Sequence, residues 1–477
     1  MRVKRFKYLV FMFLGGSMFC IAQEKKWTLE ECISYAITHN IQVKQTELEK
    51  EASTVRKQMA KGDFLPSVSF NGQHNWTIAN STLSEEIGTN AKTVQASSFG
   101  LNVAVDLYKG QVNQHRLVKA RLDQLASEYQ AQQMKENIAL QVINSYLQVM
   151  FNKELVRTNE VQLTYDKDQS IRMQTLVDAG VVPAGDLLEA KATVAISSQR
   201  LITSENQLVM AKLNLAQLLQ LESYSTFDVT DTNFEVKGEE ILKHSPEEIK
   251  ERAFESLMNV RIAQTNLAIA EQNVKIARTS FYPTLTGVYN LTTNANYLDR
   301  VTGYTIGSFP REIGYVEGSN AKVLAPSTVP MMGGASPFFD QLSDNLRSFV
   351  GLTLSVPIFT GFRTRNSLKL ARLSKQQISN EKEVAILELE QQVFKAYTDT
   401  KNAHKSYEAS VVTLESREKS LEYAKERYAV GLINVFDLNQ NQNLYVAAQS
   451  DMLKSKYEYI FKTRILEYYF GVPLFSN

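Results

Sequence analysis

Apolar residues along this chain follow two periods. In Phe99-Gly-Leu101-Asn-Val103-Ala-Val105 every odd position is apolar, and Leu352-Thr-Leu354-Ser-Val356 repeats the alternation. A period of two predicts half-buried strands. The segments before them, Val68 to Ile78 and Leu285 to Thr292, alternate less cleanly and complete a strand pair in each half. The spacing then turns helical, as in Ile138, Val142, Ile143, Tyr146, Leu147 and Met150, and again in Val384, Leu387, Val393, Ala396 and Tyr397. It predicts helices over about 111–178 and 362–429, each about 100 Å long at 1.5 Å per residue. Helices of that length pack as coiled coils; an ordinary bundle uses far shorter ones.

The two halves match residue by residue. Gly100-Leu101 falls on Gly351-Leu352, Gly110 on Gly361, and Ala120-Arg121-Leu122 on Ala371-Arg372-Leu373. Downstream, Tyr146 falls on Tyr397, Gly180 on Gly431 and Asp186-Leu187 on Asp437-Leu438. Upstream, Phe64 and Pro66 match Phe281 and Pro283 in a different register. The second repeat therefore carries a long insertion within residues 295–345.

Each repeat has the same predicted order of elements. A first helix covers about 28–61 or 246–280, with Asn40 and Asn259 at matching places, and Pro66 or Pro283 ends it. A strand pair follows, within 66–106 or 283–357, and then the long helix. The breaks Ala179-Gly180-Val181-Val182-Pro183 and Val430-Gly431-Leu432-Ile433-Asn434 place a glycine where a helix ends. Return helices then run over about 186–220 and 436–469. The repeats are expected at 23–221 and 246–477, joined by a linker at 222–245 rich in Ser, Thr and Asp.

The amino terminus differs from the rest. Arg2, Lys4, Arg5 and Lys7 precede an apolar run from Leu9 to Phe19, and Cys20-Ile21-Ala22 follows. This reads as a secretory signal at 1–22, cut after Ala22. Lipidation of Cys20 would need a small residue before it, and Phe19 is bulky. With 52 basic and 51 acidic residues, the chain has no basic excess to suggest nucleic acid. Loss of the signal shifts the net charge to about −3. The mature chain keeps one cysteine, Cys32, on an apolar helical face, where a small buried residue is expected.

No later segment is long and apolar enough for a transmembrane helix. An open four-stranded sheet cannot cross a bilayer either, because its edges would leave backbone groups unpaired in lipid. So these strands either remain in water, or several chains pool them into one closed barrel. Pooling also accounts for the 295–345 insertion, rich in Gly, Pro, Ser and Tyr, as an external loop.

At this point the sequence resembles the TolC family of outer-membrane efflux proteins. The resemblance rests on Phe64-Leu-Pro66-Ser and Phe281-Tyr-Pro283-Thr, on Val356-Pro-Ile-Phe-Thr-Gly361, and on Arg427-Tyr-Ala-Val-Gly431 with Asp437-Leu438. Gly180 with Asp186-Leu187-Leu188-Glu189-Ala190 carries the same pattern in the first repeat. It implies an α+β membrane protein and a homotrimer. Four strands per chain would form a shared trimeric 12-stranded β-barrel on a long periplasmic α-helical coiled-coil barrel. It also implies a passive exit duct of an efflux or type I secretion system, meeting outer-membrane lipid, a periplasmic adaptor and an inner-membrane pump. By residue matching, Gly180, Val181, Val182, Gly431, Leu432 and Ile433 are the adaptor-contacting tips. The alternative is turn chemistry alone, with each glycine serving only as a helix C-cap; the resemblance tips the balance to the contact. Asp437 matches a position that narrows such tunnels with acidic rings, and Gln440 stands where a second acid can occur. Asp186 and Glu189 are the corresponding acids of the first repeat. The alternative for Asp437 is an acid stabilising a helix N-terminus.

Enzyme readings find no support. His39, His74, His115, His244 and His404 are scattered without metal-ligand spacing, and no phosphate-binding glycine loop occurs. No cofactor or metal is expected. Trp76, on a predicted strand, suits an interfacial aromatic belt or a packed barrel position equally. The rival functions are an envelope-spanning coiled-coil scaffold or adhesin, which needs no barrel, and a periplasmic hydrolase.

Overall fold

A computed structural model describes residues 26–78, 93–222, 224, 227–231 and 240–474. The signal segment 1–22, with Cys20, lies outside the described residues. The described residues divide into two compact units, each drawing on both repeats: those within 1–50, 126–264 and 381–477 form one, and those within 51–125 and 265–380 the other.

The first unit is helical. A short strand β1 (Lys26–Trp27) leads into α1 (Leu29–His39), whose start is fixed by a capping box between Thr28 and Glu31. A break at Asn40 separates α1 from α2 (Ile41–Gly62). The long helix α3 spans Val112–Asp178 and the return helix α4 spans Ala184–Leu219. Strand β4 (Asp228–Val229) pairs in parallel with β1. Helix α5 (Pro246–Ser256), capped by Ser245, is separated from α6 (Met258–Thr279) by Leu257. The second long helix α8 spans Arg363–Ala429 and its return helix α9 spans Val435–Tyr469.

The first helix of each repeat is thus two helices. The register that matches Pro66 with Pro283 matches Asn40 with Leu257, the two break residues, and not with Asn259. Asn40 earns its place by bridging: its Nδ2 donates to Leu218 O at 3.1 Å, and its Oδ1 accepts from the Gln42 amide at 2.9 Å.

The core of this unit packs α1, α3, α4 and α9. Ile138, Val142, Tyr146 and Val149 meet Cys32, Ile33, Leu215 and Leu219, all buried. Cys32 is a fully buried free thiol in that cluster. A second core joins Ile249 and Val260 to Leu389, Val393 and Leu466. Lys153 and Lys212 close on Asp228 at 3.1 and 2.9 Å, which ties the β1–β4 pair to α3 and α4.

The second unit contains an antiparallel sheet in the order β10-β5-β3-β2. Its strands are β2 (Ser67–Ile78), β3 (Thr93–Lys109), β5 (Thr284–Asn296) and β10 (Arg347–Ser355). At both strand-to-helix joints two successive residues are left-handed, Gly110-Gln111 before α3 and Gly361-Phe362 before α8.

The insertion at 295–345 is not an irregular loop. Strand β5 runs into it as far as Asn296. It then forms a two-stranded ribbon in which β6 (Arg300–Ile306) pairs with β9 (Thr328–Gly333), and β7 (Arg311–Tyr315) with β8 (Lys322–Ala325). A short helix α7 (Phe338–Asp344) follows.

Candidate functional site

The sheet is two-faced, and its faces are inverted relative to a water-soluble protein. Alternation puts Val68, Phe70 and Trp76 on one side of β2, and the register aligns them with Leu101 and Val103 of β3. Across β3, these meet Leu291 and Tyr289 of β5, which face Ser348 and Val350 of β10; Leu352 and Leu354 follow on the same side. That side is exposed in the chain: Val350 is 78% and Leu354 65% accessible. The opposite side is mainly polar, with Ser69, Asn71, Gln73 and Asn75 beside Asn102 and Ser98, then Asn290, Thr292, Asn294, Thr353 and Ser355; Val288 and the exposed Phe349, opposite Asn290, are its apolar exceptions. An apolar outer face and a polar inner face fit a wall with lipid on one side and water on the other. Twelve residues of strand rise about 40 Å, or about 30 Å vertically at a barrel's tilt, which matches a bilayer's hydrocarbon thickness.

The apolar face ends in aromatic rings where the strands lead into the insertion. His74 stacks edge-on to Trp76 at 4.2 Å, and its Nδ1 is 2.7 Å from Ser97 Oγ. Phe338 of α7 packs on Phe99 and Tyr297. Trp76 thus stands exposed on the apolar face, near the end of β2. Helix α7 is held there by Asn345 Nδ2 donating to Asn294 O and Thr293 Oγ1 donating to Leu342 O, both at 2.7 Å. The outer strands β2 and β10 each leave one edge unpaired by this sheet, and closure must come from further strands.

The helical tips belong to the other unit. Both long helices end in the same motif. Gly180 N–H donates to Val177 O and Val181 N–H to Leu176 O; Gly431 N–H donates to Tyr428 O and Leu432 N–H to Arg427 O. This paired bonding closes a helix around a left-handed residue, and both glycines sit at φ +73°. The turn throws Val181 and Leu432 outward, 67% and 69% exposed. Val182 and Ile433 turn back instead. Val182 packs with Met173, Leu187 and Tyr428, and Ile433 with Leu421, Ala424 and Leu438. So only half of the four apolar tip residues singled out by sequence present a free surface. Leu188, Val430 and Phe436 add exposed apolar area nearby that sequence reading missed. Leu188 and Phe436 occupy helical positions and Val430 the turn just after α8, with no local signal of exposure.

Asp186 and Asp437 both head their return helices. The two starts differ in their caps: Asn434 accepts from the Asp437 amide at 2.9 Å, while Pro183 offers no side-chain cap. Asp437 is half-buried and Gln440 and Glu189 are exposed. Asp186 lies near Tyr428, whose phenol is pushed above its ordinary value by burial first and by the Asp186 charge second.

Above the tips lies a buried polar chain that sequence reading did not find. Gln442 Nε2 donates to Gln162 Oε1, and Gln162 Nε2 donates to Asp166 Oδ1 at 2.8 Å. Ser197 Oγ donates to the other Asp166 oxygen. Burial raises the Asp166 carboxyl above its ordinary value, against the opposing pull of the Ser197 and Gln162 hydrogen bonds. Nearby, Asn439 Nδ2 donates to Thr193 Oγ1 at 3.3 Å and Arg200 Nη1 to Asn443 Oδ1 at 3.1 Å. These bonds join the hairpin of the first repeat to the return helix of the second. No helix among the described residues is long and apolar enough to cross a membrane.

A family model described as outer membrane efflux protein matches residues 32–220 and 251–467. The chain belongs to that family. One matched stretch lies in the first half of the chain and the other in the second. TolC of Vibrio cholerae serotype O1 is 23% identical over 375 residues, 76% of this chain and 74% of that one. CyaE of Bordetella pertussis is 21% identical over 442 residues, 91% and 80% of the two chains. The pyoverdine export outer membrane protein OpmQ of Pseudomonas aeruginosa is 27% identical over 206 residues, spanning 43% of this chain and 42% of OpmQ. Among solved structures, the outer membrane protein VceC of Vibrio cholerae superposes with a TM-score of 0.71 at 15% identity, over 93% of this chain and 96% of that one. The MtrE outer membrane channel of Neisseria gonorrhoeae gives 0.72 at 15% identity, over 94% and 89%. The fold is accordingly that of the TolC-like trimeric channels, with each chain giving four strands to a shared twelve-stranded barrel. The protein resides in the outer membrane with a large periplasmic portion.

Proposed function

We propose that this protein is the exit duct of a tripartite efflux or type I secretion system. It passively conducts substrates from a periplasmic adaptor and an inner-membrane pump to the outside. The observation that carries the reading is the two-faced sheet: a polar inner wall is wasted on an anchor or adhesin, and a water-filled passage uses it. The exposed Val181 and Leu432 support the tips as the adaptor contact, since apolar residues on a tight turn gain from a partner's cover. The export in the name of OpmQ and the efflux in the description of the family model fit the same role. The test is to purify the protein from outer membranes in detergent, measure its mass, and reconstitute it in planar bilayers. A trimer with ohmic single-channel conductance is expected, retained by an immobilised adaptor and released when Val181 and Leu432 are both changed to Asp. A trimer without conductance would sink the duct.

A further inference from the structure

Among the described residues the ribbon of the second repeat has no counterpart in the first, and its construction leaves it short of cover. Two strands without a third layer are marginal in water. Yet in the β6–β9 part Val301, Tyr304 and Ile306 stand opposite Met332, Pro330 and Thr328, so one face is almost wholly apolar. Tyr304 is 70% and Ile306 77% exposed in the single chain. The reverse face carries Gly303 and Thr305 against Met331 and Val329.

Two observations select what covers the apolar face. Charge is the first. From Asp299 to Lys322 the segment has three acids (Asp299, Glu312, Glu317) and three bases (Arg300, Arg311, Lys322). Glu312 and Lys322 satisfy each other at 2.9 Å. A balanced ribbon has no field to draw lipid phosphates or a charged partner. The second is where the ribbon is rooted. It rises between β5 and β10, and β10 is an outer strand of the sheet, so each ribbon stands beside a seam where a neighbouring chain joins the barrel. Twelve strands about 4.8 Å apart and tilted about 40° enclose a mouth about 24 Å across, while the sixteen residues from 300 to 315 extend at most about 50 Å. Ribbons from three seams are long enough to meet.

We propose that the Val301–Tyr304–Ile306 face of each ribbon packs on the ribbon of a neighbouring copy, forming a three-part collar over the external mouth. The inference rests on the trimeric barrel. Ile306→Cys and Tyr304→Cys, with Thr305→Cys as the reverse-face control, would be expressed in whole cells and treated with a membrane-impermeant bis-maleimide. Native mass of each purified variant scores the trimer separately. The expected result is a covalent band at twice the chain mass for Ile306→Cys and Tyr304→Cys, since each chain then offers one reactive thiol and the reagent joins two, and no such band for Thr305→Cys or the parent, whose Cys32 is buried. Intact trimers that give only monomer, or a band with a protein of another mass, overturn the collar. Equal crosslinking from both faces overturns the assignment of the face.

Discussion

Gln442 Nε2 donates to Gln162 Oε1 at 2.6 Å, joining the return helix of the second repeat to the long helix of the first in a buried setting. Gln162 is the middle of the chain: it accepts from Gln442 and donates to Asp166. Gln162→Leu therefore strips two partners at once. It is expected to cost about 1–3 kcal/mol, because buried groups left without a bond keep their desolvation penalty. The midpoint of thermal unfolding in detergent measures it; an unchanged midpoint would show that the two hairpins do not depend on this chain.

The Asp166 carboxyl gives a pH dependence of definite sign. Its native pKa lies above its ordinary 3.8. The native state thus holds the proton more tightly than the unfolded chain does, so its contribution is greatest below 3.8. It falls as pH rises through the native pKa and is level above it. Asp166→Asn adds a pH-independent term and removes this slope. Its unfolding midpoint relative to the parent should improve from pH 3.5 upward and then plateau. A parallel shift at all pH values contradicts the assignment.

Gly180 and Gly431 have open space where a Cβ would stand, so only the backbone resists substitution there. At φ +73° an alanine costs about 1–2 kcal/mol. Gly431→Ala should therefore speed amide hydrogen exchange in the last turn of α8, with Gly431→Asn milder and the distant core unaffected.

The two faces of β10 are tested by neighbouring residues. Leu352→Arg puts a charge in lipid and is expected to cost about 2–4 kcal/mol if near the midplane. Thr353→Arg puts the same charge on the watery side. Heat-resistant trimer on gels should drop for the first and persist for the second. Equal losses would refute the assignment of faces.

Asp437→Ala tests the acidic constriction suggested by its position. Conductance in planar bilayers is expected to rise and block by divalent cations to weaken. A variant that changes only thermal stability would return Asp437 to the role of a helix-start acid.

The parts legible in sequence were those with strict spacing. The alternation of Phe99 to Val105 marked its strand plainly, whereas Gly72 and His74 interrupted the apolar face of β2 and blurred an equally regular strand. Gly180 and Gly431 announced the tips, but not that Val182 and Ile433 fold back, because neighbours in sequence leave a turn on opposite sides. The buried Gln162–Asp166–Gln442 chain was invisible for another reason. Polar residues at helical spacing read as a solvated face, and only packing between hairpins reveals which of them are shut in. The break at Asn40 was hidden too, since two stacked helices keep one periodicity.

Among the described residues the ribbon occurs in one repeat, and that has an evolutionary consequence. Half of this chain, two strands and one long hairpin, is a unit that six identical subunits could assemble into the same ring. Fusion into one gene reduced six equivalent positions to alternating pairs, and each half became free to diverge without the change being copied to its neighbour in the ring. A ribbon on every half would place six around one opening in place of three. Tandem duplication made it possible to decorate every other position, so the embellishment is a direct dividend of broken symmetry.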